Sequence, residues 1–189
     1  MLFAPMNGDE FLRALKDAKR RGTEPAEVSA ASWTHYMTGR LLDLAKENEL
    51  HLCGKTLGHF GPDLKTEHLA REYLFDFTLY ERDAWKNHSL PCVIIEHENQ
   101  WSEGEFLRDL WKVMIGFAPL RVMFGYARDE QGVKALATAV RREAASWSYP
   151  AQGVEDLVLL RHPGATAWRL LRRPPGAKAW SESVTPDSP

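Results

Sequence analysis

Asp76 stands in the middle of EYLFDFTLY (Glu72–Tyr80), a run whose aromatic and β-branched residues otherwise mark a strand. A carboxylate is depleted from strand interiors because it neither packs nor tolerates burial. Alternation along the run places Tyr73, Phe75, Phe77 and Leu79 on one face and Leu74, Asp76, Thr78 and Tyr80 on the other. A second strand signal, LPCVIIEHE (Leu90–Glu98), ends in charge, with Ile94, Glu96 and Glu98 sharing one face and Val93, Ile95 and His97 the opposite one. The polar ERDAWKNHS between them reads as a loop that makes the two strands antiparallel neighbours. Asp76, Glu96 and Glu98 are then expected to converge on one side of a hairpin. Unpaired, they would repel and their pKa values would rise; a divalent cation removes both penalties. The other reading is an exposed strand face at the sheet rim, with Glu96 and Glu98 solvated where the strand ends.

Helical spacing surrounds these strands. Phe11, Leu12, Leu15 and Ala18 make a short amphipathic helix over 9–21, stopped by Gly22 and Pro25, with a helical turn over 25–31. Ser32 caps a longer helix whose apolar face is Trp33, Tyr36, Met37, Leu41, Leu44 and Ala45. The glycine-punctuated stretch 50–65 reads as loop or an irregular edge strand. Ser102 with Glu105 is a capping-box pattern that opens a helix over 103–116. Its expected core face is Phe106, Leu107, Leu110, Trp111, Val113 and Met114, and Glu105, Asp109, Lys112 and Gly116 form the other stripe. Lys112 either orients chemistry beside Glu96 or pairs with Asp109 on the surface. A strand over 120–127, a helix over 130–146 and a hairpin of 156–160 with 167–171 follow. The order is that of an α/β architecture, a mixed sheet flanked by helices. Three parts are expected: a helical segment over 1–31, a core over 32–173 and a flexible tail over 174–189.

Length and composition narrow the class. A chain of 189 residues can bury roughly 70% of its unfolded surface and needs no disulfide or structural metal. Two cysteines, Cys53 and Cys92, are too few for a thiolate zinc site and read as reduced, half-buried residues. No apolar run is long enough for a membrane span. The N-terminus lacks the basic flank and cleavage site of a signal peptide, so a cytoplasmic location is expected.

The remaining constellations are weaker. The seven histidines show no metal-ligand spacing, and neither a phosphate-binding glycine loop nor a GxSxG elbow is present. The first 110 residues are net acidic and the rest net basic. Arg141, Arg142, Arg161, Arg169, Arg172 and Arg173 form either a phosphate-contacting patch or a solvated basic face. Trp85 and Trp101 flank the carboxylate strands, where they stack on bases or pack at the rim.

Asp76 in FDF, Glu96 in IIEHE and Lys112 in DLWKVM resemble the PD-(D/E)XK nuclease superfamily, the restriction-endonuclease-like fold. The core of that family is a helix, a strand meander carrying an acid and then an E-x-K tripeptide, a helix, and another strand. The resemblance covers roughly Trp33 to Ala145, with Asp76 similar to the first acid and Glu96 to the second. Where the family has lysine this chain has Glu98, giving E-x-E. Some relatives take the lysine from the next helix, for which Lys112 is the candidate. An acid from the first helix has its nearest match in Asp43 or Glu47. The resemblance implies Mg²⁺ (or Mn²⁺) held by Asp76 and Glu96, Glu98 as a further ligand or water-orienting base, and Lys112 as electrophile or water positioner. It also implies a nucleic-acid substrate, DNA ahead of RNA, and work as a homodimer or with a partner protein. A catalytically inactive member of the fold, serving as a binding or assembly subunit, is the competing expectation. Another metal-assisted hydrolysis is the third.

Overall fold

The computed structural model describes residues 6–18, 30–54, 57, 74–81, 84–87, 89–99, 102–147 and 153–186. Helix α1 (Gly8–Asp17) starts at Asn7, whose side chain accepts the Glu10 N–H at 3.0 Å while the Glu10 carboxylate accepts the Asn7 N–H. This reciprocal cap satisfies two N–H groups that a helix start leaves without partners. Phe11 and Leu15 bury α1 in the same core as α2 (Ala30–Glu47). On α2, all six expected apolar residues from Trp33 to Ala45 are buried. The helical turn expected over 25–31 lies almost wholly outside the described residues.

Seven strands follow in sequence order across one sheet: β1 (Leu50–Gly54), β2 (Phe77–Glu81), β3 (Val93–Glu98), β4 (Leu120–Tyr126), β5 (Glu155–Arg161), β6 (Ala167–Arg173) and β7 (Ser181–Pro186). The pairs β3–β4 and β4–β5 are parallel and every other pair is antiparallel. Helices α3 (Glu103–Ile115) and α4 (Glu130–Ser146) make the two crossovers between the parallel strands. Among the described residues the architecture is thus α/β, a seven-stranded mixed sheet flanked by four helices. Alternation along the strands divides the core. Val93, Ile95, Val122 and Leu159 meet α1 and α2, whereas Ile94, Met123, Val158 and Leu160 meet α3 and α4.

Several local expectations change. Stretch 50–54 is a regular edge strand, paired with β2 from Leu50↔Glu81 to Gly54↔Phe77. At Gly54 the Phe77 ring occupies the space a Cβ would need, so the strand ends on the residue that tolerates the ring. Strand β2 begins at Phe77, after a bend over 74–76; Glu72 and Tyr73 lie outside the described residues. That bend breaks the alternation: Phe75 turns to the α3 side, while Phe77 and Leu79 pack towards α2. Asp76 is therefore a residue at the strand's entrance and not in its middle. Trp111 was expected in the core but is 50% exposed. The buried stripe of α3 is Phe106, Leu110, Val113 and Met114, and Trp111 falls beyond its edge. Ser102 occupies the N-cap position without a side-chain capping bond. Residues 181–186 of the expected flexible tail form β7. Its polar sequence buries little, and it is held by the backbone ladder and by Glu182, which bridges Arg141 of α4 and Arg169 of β6.

Candidate functional site

Glu96 lies on the third strand from the sheet's β1 edge, on the side that faces α3. Its neighbours Val93, Ile94 and Ile95 are fully buried, which fixes the strand and drives the carboxylate inward with it. Lys112 Nζ of α3 reaches Glu96 Oε1 at 2.6 Å, and the Asp76 N–H donates to the same oxygen at 3.2 Å. In return, Asp76 Oδ2 accepts the His97 N–H at 3.0 Å. The entrance of β2 and the last turns of β3 are so clasped together: each acid binds the backbone beside the other. The bend at 74–76 permits this, because Phe75 anchors it between Ile94 and α3 and leaves Asp76 free to close on β3.

Glu96 is only 2% exposed. Burial foremost, then the charges of Asp76 and Asp109, push its pKa up to about 8 against the pull of Lys112. Burial of Lys112 opposes its charge, but Glu96, Asp76 and Asp109 outweigh this and raise its pKa, keeping it cationic. The ammonium also sits 5.8 Å above the Phe75 ring. Lys112 therefore answers to Glu96 rather than to Asp109 alone. Even with Lys112 beside it, Glu96 stays hard to ionise, and burial is the main reason.

Glu98 is buried two residues further along the same strand face. Among the described residues, no three His, Cys, Asp or Glu side chains are arranged to hold a metal ion. The expected three-carboxylate cluster is thus reduced to the Asp76–Glu96 pair, because the bend at 74–76 delivers Asp76 to the level of Glu96 and His97. Two carboxylates suit a magnesium ion that draws its other ligands from water and phosphate, so the donor set fits that metal. Asp43 is buried on α2, the layer across the sheet from Lys112. Glu47 lines a separate cleft with Leu50, Glu81 and Cys92 at the opposite ends of the strands. Neither completes the pair.

Behind the site, His97 points towards α2 as the alternation requires. Its Nε2 lies 3.1 Å from Tyr126 Oη, its Nδ1 lies 3.3 Å from Asn99 Nδ2, and Asn99 donates to Thr34 Oγ1 of α2 at 2.6 Å. Burial drives the His97 pKa down to about 3. This network ties the end of β3 to α2 and holds the N–H that Asp76 uses. The period of two places His97 on that face, but nothing in the sequence pairs it with Tyr126 or Thr34.

The six arginines of the expected basic patch each meet a partner among the described residues. Arg141 and Arg169 meet Glu182, Arg142 meets Glu103 and Glu143, Arg172 meets Asp9 and Glu155, Arg173 meets Asp156, and Arg161 donates to the Ala165 carbonyl. The Trp85 side chain and Trp101 lie outside the described residues. Both cysteines are buried and unbridged, with the Cys92 thiol donating to the Leu79 carbonyl at 3.2 Å. Among the described residues, no helix is long and apolar enough to cross a membrane. In comparisons with known proteins, no family model, curated protein or solved structure matches the chain.

Proposed function

We propose that the protein is a metal-dependent phosphodiester hydrolase acting on nucleic acid, DNA ahead of RNA, built on the PD-(D/E)XK plan. The observation that carries this reading is the 2.6 Å contact between Lys112 and Glu96, with Asp76 clasped to the same carboxylate. Two acids from neighbouring strands and a lysine from the following helix are the set that the E-x-E variant requires. The order α2, antiparallel β1–β2–β3, α3 and parallel β4 agrees with that plan.

Asp76 and Glu96 would hold Mg²⁺ or Mn²⁺. When bound, the metal acidifies a water and neutralises charge on the attacked phosphate. Lys112, half-buried beside the carboxylates, orients that water or stabilises charge developing on the phosphate oxygens. The Lys112–Glu96 contact already present keeps Lys112 aligned before substrate arrives.

A second reading, a non-catalytic subunit of the same fold, is favoured by one observation: Glu96 already has a partner in Lys112. Calorimetric titration of Mn²⁺ into wild type and the Asp76→Ala/Glu96→Ala variant separates the two. Binding that disappears in the variant, together with metal-dependent cleavage of DNA that Lys112→Met abolishes, is the expected result. Cleavage that survives Asp76→Ala and Glu96→Ala would overturn the site assignment. Absence of both metal binding and cleavage on DNA and RNA would favour the subunit.

A further inference from the structure

Strand β3 runs past its neighbour on one side. Its last residue paired with β2 is Ile95, opposite Phe77, whereas Glu96, His97 and Glu98 continue along β4 opposite Met123, Phe124 and Gly125. Beyond Ile95 the His97 N–H goes to a side chain, Asp76 Oδ2, at 3.0 Å. The peptide that links Glu96 to His97 thus carries both acids: Glu96 by its own Cα, and Asp76 by the N–H it binds. Successive side chains leave a strand on opposite faces, so a rotation of this peptide moves the Glu96 carboxylate, the His97 ring and the N–H together.

The His97 ring is the part of this unit that is held from the far side of the sheet. Its Nε2 lies 3.1 Å from Tyr126 Oη, and its Nδ1 lies 3.3 Å from Asn99 Nδ2, which also reaches Thr34 Oγ1 of α2. The Tyr126 ring stands edge-on to His97 with centroids 5.3 Å apart. Tyr126 is itself packed against Trp33 of α2 at 5.0 Å and Trp168 of β6 at 5.6 Å. His97 and Tyr126 are both buried. A buried polar network of this kind favours one arrangement, because a broken bond leaves a polar group where water does not reach it.

We propose that Tyr126 is a positioning residue for the Asp76–Glu96 pair, acting through His97. By fixing the imidazole on the α2 side, its hydroxyl fixes the main chain that orients Glu96 and aims the N–H that Asp76 binds on the α3 side. Groups that stand behind metal ligands set the orientation of those ligands, and their loss weakens metal binding by about 10–100-fold. Tyr126 acts one bond further back, through a backbone N–H, so the lower end of that range applies. The consequence for a metal rests on the hydrolase reading; the hold on Asp76 does not.

Amide hydrogen exchange of the full chain, read by NMR, tests the positioning without any metal. Tyr126→Phe keeps the ring packed against Trp33 and Trp168 and removes only the hydroxyl. In this variant the His97 amide is expected to exchange about tenfold faster relative to the amides of Val93 and Val122, which are fully buried on the same two strands. A merely structural role would loosen all three alike. In Asp76→Ala the His97 amide has already lost its acceptor, so adding Tyr126→Phe is expected to accelerate it little further. Calorimetric titration with Mn²⁺ is expected to show about tenfold weaker binding in Tyr126→Phe than in wild type. Should Tyr126→Phe fail to fold by circular dichroism, Asn99→Ala removes the other partner of the ring from a half-buried position, with the same expectations. A His97 amide that gains no more than Val93 and Val122 overturns the proposal, as does Mn²⁺ binding as tight as in wild type. If wild type binds no Mn²⁺, the hydrolase reading fails and the amide rates alone decide the positioning.

Discussion

Glu96→Gln is expected to stabilise the protein increasingly as pH rises. In the folded chain, burial first and the neighbouring acids second hold the Glu96 carboxyl at a pKa of about 8, while an unperturbed glutamate ionises at 4.5. Between those values the unfolded chain has released its proton and the folded chain retains it. The folded state then binds more protons, so stability falls as pH rises, by at most about 1.4 kcal/mol per pH unit for one group. The fall is complete once pH exceeds the folded value, and a displacement of this size corresponds to an upper limit of about 5 kcal/mol. Glutamine keeps the shape and an oxygen to accept the Asp76 N–H, but it has nothing to ionise. The Lys112 ammonium left behind is half-buried and retains access to water, so its loss of a partner costs little. Urea unfolding followed by tryptophan fluorescence should show the two proteins nearly equal at about pH 5 and the variant several kcal/mol more stable at about pH 9. Added Mn²⁺ should restore the wild type at the higher pH and leave the variant unchanged. A stability difference that stays constant across this range would refute the buried-acid account.

His97, whose pKa burial lowers from 6.5 to about 3, should keep unchanged ring-nitrogen chemical shifts from neutral pH down to about pH 4. Within that window the unfolded chain takes up the proton and the folded chain does not, so wild type should lose stability on acidification more steeply than His97→Gln. Gly116→Ala should cost about 1–3 kcal/mol in urea unfolding, because the new methyl would meet Ile94 and the Phe75 ring that lies beneath Lys112. The Cys92 thiol, pushed up to about 12 mainly by burial, should resist a thiol reagent such as dithionitrobenzoate in the native state, as should buried Cys53; both should react after unfolding.

The distribution of apolar residues determined much of this architecture. The stripes on α2 and α3, the β2–β3 pairing and the β5–β6 hairpin follow from periods that a single burial face imposes. The placing of Glu96 and Glu98 together, with His97 opposite, comes from the same period of two. A lysine in register on α3 was also legible, since seven residues from Glu105 return to the same face. None of these periods tells how far one element lies from another.

Tertiary structure decided the rest. The bend at 74–76 turns Phe75 to the α3 side and brings Asp76 onto β3, a departure from alternation that only the packing against Ile94 and Gly116 produces. The width of the buried stripe left Trp111 outside the core, and partners distant in sequence neutralised the arginines that read as a basic patch. Strand β7 has too few apolar residues to announce itself; it forms because β6 offers an open edge and Glu182 meets two arginines. Local sequence sets which face of an element seeks burial, whereas charge pairing and strand edges depend on distances that exist only after the layers have packed.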